Sequence, residues 1–124
     1  MPQDAFDGIS GLDECCTQNI AWATGAVGDV ENDWIQANFE SLLKVGMFKY
    51  MQRSYSHNSN DKNDQGKLLR VVFSDDSFQE FILASTLRHP IFQEFVLNPP
   101  VTTLSIRFEI KSVYAGSHPG ASEI

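Results

Sequence analysis

Glu80 and Glu94 are the residues best placed by type for acid–base chemistry, the first within FQEFILA and the second within IFQEFVL. Two carboxylates facing one cleft can divide the roles of proton donor and base between them. An outward position on a strand explains each more simply, because side chains alternate between faces. The chain contains no G-x-S-x-G nucleophile elbow, H-E-x-x-H helix, Walker loop or dinucleotide fingerprint. The expectation is a chain with no catalysis of its own.

Two further sets invite metal or redox chemistry. Cys15 and Cys16 are adjacent, and neighbouring residues reach disulfide geometry only with strain. His57, His89 and His118 show no ligand spacing relative to them. Small semi-buried thiols in a loop are expected, with a cysteine partner elsewhere or a vicinal redox pair as the alternatives. The stretch DKNDQG sets Asp61, Asn63, Gln65 and Gly66 at the offsets of a calcium-binding EF-hand. The closing carboxylate of that pattern falls on Val72, an apolar residue, so a solvated hairpin loop is the better reading.

The elements that must carry these residues are strands. DWIQANF alternates, with Trp34, Gln36 and Asn38 on one face and Ile35, Ala37 and Phe39 on the other. LLKVGMFKYMQRSY alternates less regularly, and Gly46 marks either a bulge or a close backbone approach. The run NFESLLKVGMFKYM also admits a short helical turn through Phe39, Leu42, Leu43 and Met47. SHNSNDKNDQG is polar and aperiodic, a loop. KLLRVVFS, DDS and FQEFILA read as strand, hairpin turn and returning strand. IFQEFVL follows Pro90 as a further strand. VTTLSIRFEIKSVYA is the longest, its start fenced by Pro99 and Pro100, with Leu104, Ile106, Phe108 and Ile110 on one apolar face. Short strands at fairly regular spacing with Pro and Gly between them predict an all-β sandwich or jelly roll.

Length and charge bound the rest. A chain of 124 residues is one domain, residues 1–124, with room for a real core. A formal charge of -7 argues against a nucleic-acid partner and disfavours unaided binding to anionic membranes. Lys44, Lys49, Arg53, Lys62, Lys67 and Arg70 gather mid-chain, but Asp61, Asp64, Asp75 and Asp76 lie among them, as on a mixed solvated face. No apolar run reaches bilayer-spanning length, and no targeting signal opens the sequence.

In order, DAFDG, AWAT, DWIQANF, VGMFKYMQRSY, LLRVVFSDDS and VTTLSIRFEIKSVYAGSHPGASEI follow landmarks spread over nearly the whole chain. The series resembles the discoidin domain, also called the coagulation factor V/VIII type C domain. The resemblance implies a galactose-binding-like jelly-roll β-sandwich, here missing part of its first and last strands. It implies a non-catalytic module that binds carbohydrate (glycan) ligands through rim loops, in cell adhesion or extracellular recognition. Lipid head-group binding, or protein–protein interaction and assembly within a larger multidomain chain, is the alternative. An extracellular or cell-surface setting follows from the same likeness.

The site residues come from the resemblance as well. Arg53 matches the recurring arginine at the end of its strand, with Tyr55, His57 and Asn58 in the loop behind it. A guanidinium, an imidazole and an amide hydrogen-bond sugar hydroxyls, and a phenol ring offers a stacking face. Carbohydrate-binding members hold a structural calcium between the loop after the DG turn and the glutamate of the last strand, which maps to Asp7 and Glu123. The chain departs from the pattern by inserting ISGLDECC before Thr17 and Trp22, so that either Asp13 replaces a ligand or the site is lost. Trp22 and Trp34 have faces suited to a pyranose. In the family the corresponding tryptophans support the core, and core is the expectation for both.

Overall fold

The computed structural model describes residues 22–23, 34–52, 65–85, 92–115 and 120–124. All regular structure among them is strand: β1 (Trp22–Ala23), β2 (Trp34–Gln52), β3 (Gln65–Phe73), β4 (Phe78–Ile82), β5 (Phe92–Ala115) and β6 (Gly120–Glu123). The strands pair antiparallel in the order β1-β6-β2-β5-β3-β4. None of the described segments is a helix long and apolar enough to cross a membrane.

The alternation in DWIQANF is realised, with Ile35 in the core and Trp34, its neighbour, half exposed. KLLRVVFS and FQEFILA form β3 and β4. In the turn between them, Phe73 donates its N–H to Ser77 O at 2.8 Å and accepts from Asp76 N–H at 2.9 Å. Asp76 takes a left-handed φ of 67°, a conformation that such hairpin connections require and that glycine usually supplies.

The two long strands pair from Trp34↔Glu109 to Met51↔Phe92, with two interruptions. Between Asn38↔Ser105 and Leu43↔Thr103, residues Phe39 to Leu42 stand against Leu104 alone. Between Val45↔Val101 and Met47↔Val96, Gly46 stands against Leu97 to Pro100. A Cβ on Gly46 would meet nothing within 4 Å, so this glycine marks a bulge and not a close approach. Pro99 and Pro100 therefore do not fence a strand; β5 runs through them, at the place where its backbone is released from the ladder. Nor does β2 take a helical turn, since its strand continues through the irregular stretch. Gln65 and Gly66, read as loop, already belong to β3.

These interruptions fold the β2–β5 ribbon back on itself. Phe108 pairs with Ile35 and Phe48 with Phe95, and on straight strands the two pairs would lie about 40 Å apart. Yet the rings of Phe48 and Phe108 are 5.3 Å apart, and Phe48 also meets Phe81 at 5.2 Å. One end of the ribbon, carrying β3 and β4, thus faces the other end, paired to β6, across a shared core. That core includes Tyr50, Leu69, Val71, Leu83, Leu97 and Ile110. Each interruption sets four residues against one, and this odd excess reverses the face that the side chains take relative to the partner strand. Thr103 turns inward and Leu104 outward, correcting the expectation that Leu104 shares the apolar face of Ile106, Phe108 and Ile110.

Polar side chains tie the facing layers. Gln52, fully buried, donates to Gly66 O at 2.7 Å and accepts from Gly66 N–H at 3.1 Å. Gly66 is needed here, because a Cβ would come within 2.9 Å of Ile110. Gln93 grips Ala84, accepting its N–H at 2.7 Å and donating to its carbonyl at 2.9 Å. Thr103 Oγ1 accepts the Ser74 N–H at 2.9 Å and donates to Ser105 O at 2.8 Å, joining the β3–β4 turn to the bend in β5.

Candidate functional site

Of the residues expected to bind ligand or metal, Arg53, Tyr55, His57, Asn58, Asp7 and Asp13 lie outside the described residues, as do Cys15 and Cys16. Glu123 falls in β6, opposite Met51, and β6 pairs on its other side with β1. Among the described residues no three His, Cys, Asp or Glu side chains gather as a metal site. Glu80 and Glu94 face outward, each set directly across from a cation. Arg70 lies 3.4 Å from Glu80, and Lys49 lies 3.5 Å from Glu94.

Among the described residues, the most developed polar surface is the outer face of the layer formed by β2, β5, β3 and β4. The register lays its side chains in rows across the strands. One row runs Trp34, Glu109, Arg70, Glu80, and the next Gln36, Arg107, Val72, Phe78. Asn38 begins a third, and accepts a hydrogen bond from Gln36 Nε2 at 2.8 Å.

Two aromatic rings stand at opposite sides of this face. Trp34 is 50% exposed and Phe78 51%, which corrects the expectation of a core Trp34. Its neighbours in phase, Gln36 and Asn38, are polar, so the alternation carried the signal. The general preference of tryptophan for burial points the other way, and here the phase prevails. Each ring has a guanidinium over it: Arg107 lies 5.4 Å from the Trp34 ring and Arg70 4.4 Å from that of Phe78. Such contacts favour one attitude of a ring, and about half of each side chain stays exposed. Trp22 belongs to β1, and its side chain lies outside what the structure describes.

Between the rings the charges are met locally. Glu109 has Arg107 Nε at 2.9 Å and Lys111 Nζ at 3.2 Å. The Arg107 contact is an ion pair without hydrogen-bond alignment, so Nε keeps no directed acceptor among the described residues. What the face presents is two half-open rings with amide, guanidinium and carboxylate groups between them. That inventory suits the recognition of a ligand with apolar faces and hydroxyl edges.

None of this was evident from any one segment. Arg70, Arg107 and Phe78 come from three separate strands, and only the cross-strand register shows that each arginine reaches a ring. Set against known proteins, the chain matches no family model and no curated protein.

Proposed function

We propose that the chain is a non-catalytic binding module whose ligand is carbohydrate. The observation that carries this reading is Trp34, which stands half exposed on a sheet face beside Arg107, Gln36 and Asn38 instead of in the core. A pyranose pairs its C–H face with an indole and its hydroxyls with such neighbours. The absence of a catalytic role is part of the proposal, supported by Glu80 and Glu94 each lying in its own surface ion pair.

The finer fold proposed is a galactose-binding-like jelly-roll β-sandwich of the discoidin kind; the doubled-back antiparallel ribbon supports it, since strands that bend at bulges can serve two packed sheets. On that reading Arg53, Tyr55, His57 and Asn58 form a second, rim-loop contact set. Asp7, Asp13 and Glu123 would supply hard oxygen donors for a structural calcium. A glycan array probed with the folded protein tests the function. Saturable binding to at least one saccharide class, weakened by Trp34→Ala, is the expected result, and no signal from any class would sink it.

A second reading, a protein-interaction or assembly domain, draws on Leu42, Leu43 and Leu104. The register brings them to one exposed bend of the ribbon. Co-purification of a stable partner, independent of sugar and lost in Leu42→Ser with Leu104→Ser, would favour it.

A further inference from the structure

We infer that the ligand is a linear, uncharged oligosaccharide lying across the strands from Trp34 to Phe78, an inference that rests on the carbohydrate reading above. Trp34 is on β2 and Phe78 on β4, with β5 and β3 between them, and their rows are adjacent. Three interstrand spacings and one row place the two side chains about 16 Å apart. A single sugar ring therefore reaches one aromatic only, and a chain of about four rings is needed to engage both, given that strand spacing.

The ground between the rings selects the ligand's chemistry. Glu109 is flanked by Arg107 and Lys111, and Arg70 faces Glu80. These side chains largely neutralise one another, so the face offers neither a cationic groove for an acidic polymer nor an anionic one for a basic peptide. It also lacks a contiguous apolar centre, because charged side chains separate the two rings, and a protein partner would want such a centre. Hydroxyls suit it, since they accept from guanidinium and amide N–H groups and donate to carboxylate and amide oxygens without carrying charge. An arginine already contacts each ring before any ligand arrives, and such a bias reduces the ordering cost of stacking a sugar on it.

Isothermal titration with the mono- to hexasaccharides of β-1,4-linked glucose, xylose and mannose tests the inference. In at least one series, affinity should climb by about tenfold or more between the disaccharide and the tetrasaccharide and then level off, as expected when a second contact becomes intramolecular. Trp34→Ala and Phe78→Ala should each abolish that climb, leaving every length to bind like the disaccharide. Trp34→Phe, which keeps a ring, should restore part of it. Both side chains are half exposed, and circular dichroism of each variant checks that the fold is kept.

If the length dependence survives both alanine variants but disappears in Arg53→Ala, the ligand lies on the rim loop; the inference is overturned and the carbohydrate reading stands. Binding confined to uronate-bearing or sulfated saccharides would overturn the assignment of an uncharged ligand. If the folded protein binds no saccharide in the titrations or on a broad glycan array, both fall together.

Discussion

Replacing Gln52 by leucine removes the buried amide that joins the end of β2 to the start of β3, while nearly conserving volume. Gly66 then loses the acceptor of its N–H at 3.1 Å and the donor to its carbonyl at 2.7 Å, in a residue that is itself buried. The longer 3.3 Å contact to Ala84 O matters less, because that carbonyl also accepts from Gln93. Two buried backbone groups left unpaired, at about 1–2 kcal/mol each, give an expected loss of about 2–4 kcal/mol. For a domain of this size, that is a fall in Tm of about 8–15 °C. Urea unfolding followed by circular dichroism measures it, with Gln93→Leu as a comparison at a half-buried site, where water can replace the lost bonds and the expected loss is about 1 kcal/mol. A loss below about 1 kcal/mol for Gln52→Leu would refute the reasoning, because the Gly66 groups would then have to be satisfied without the amide.

Tyr50 is fully buried, and its hydroxyl has no partner among the described residues. Tyr50→Phe should therefore be neutral or stabilising by about 1 kcal/mol in the same urea assay, and a clear loss would contradict it. Burial also pushes the Tyr50 phenol well above its ordinary range. The unfolded chain releases that proton first, so stability is independent of this group below pH about 10 and declines as pH rises further, a slope that Tyr50→Phe should reduce. Asp76→Gly relieves a left-handed backbone and should stabilise by about 0.5–1 kcal/mol, read as a rise in Tm. Hydrogen bonds from the Ser77 hydroxyl, at 2.5 Å, and the Ser77 N–H, at 3.0 Å, hold the Asp75 carboxyl below its usual 3.8. Its contribution is present above that value and lost as pH falls below it, so the stability gap between wild type and Ser77→Ala should close in acid. Adding calcium should raise Tm, and a chelator should reverse the rise, if the proposed oxygen donors hold an ion; no shift at millimolar calcium would dismiss that site.

Strand identity was legible wherever alternation was local. The opposite phases of Ile35 and Trp34 and the β3–β4 hairpin follow from sequence period and turn residues, whereas the closing strand that holds Glu123 was expected only from the family resemblance. The bend of the ribbon was not legible, because it is written in a mismatch between two strands. Gly46 alone signals a bulge, but only pairing with β5 shows Leu97 to Pro100 standing against it. The same limit hid the aromatic face. Arg107 and Trp34 are distant in sequence, and their contact depends on Gln36 and Arg107 being opposite one another. The phase of Trp34 is readable from DWIQANF, where polar Gln36 and Asn38 share its face, and the structure follows that phase and not the general preference of tryptophan for burial.

Because β2 and β5 belong to both facing layers, neither layer can detach while the other stays folded. Their backbones would have to break pairing on both sides of the bend at once. The module should accordingly melt as one cooperative unit, with amide protons on the two sides exchanging at similar rates. Pairing β2 with β5 also requires chain segments distant in sequence to find one another before much surface is buried, which predicts slow folding. A saccharide bound on the outer face of one layer would then protect the Phe48 core beneath both, so that hydrogen exchange far from the rings reports occupancy of the surface.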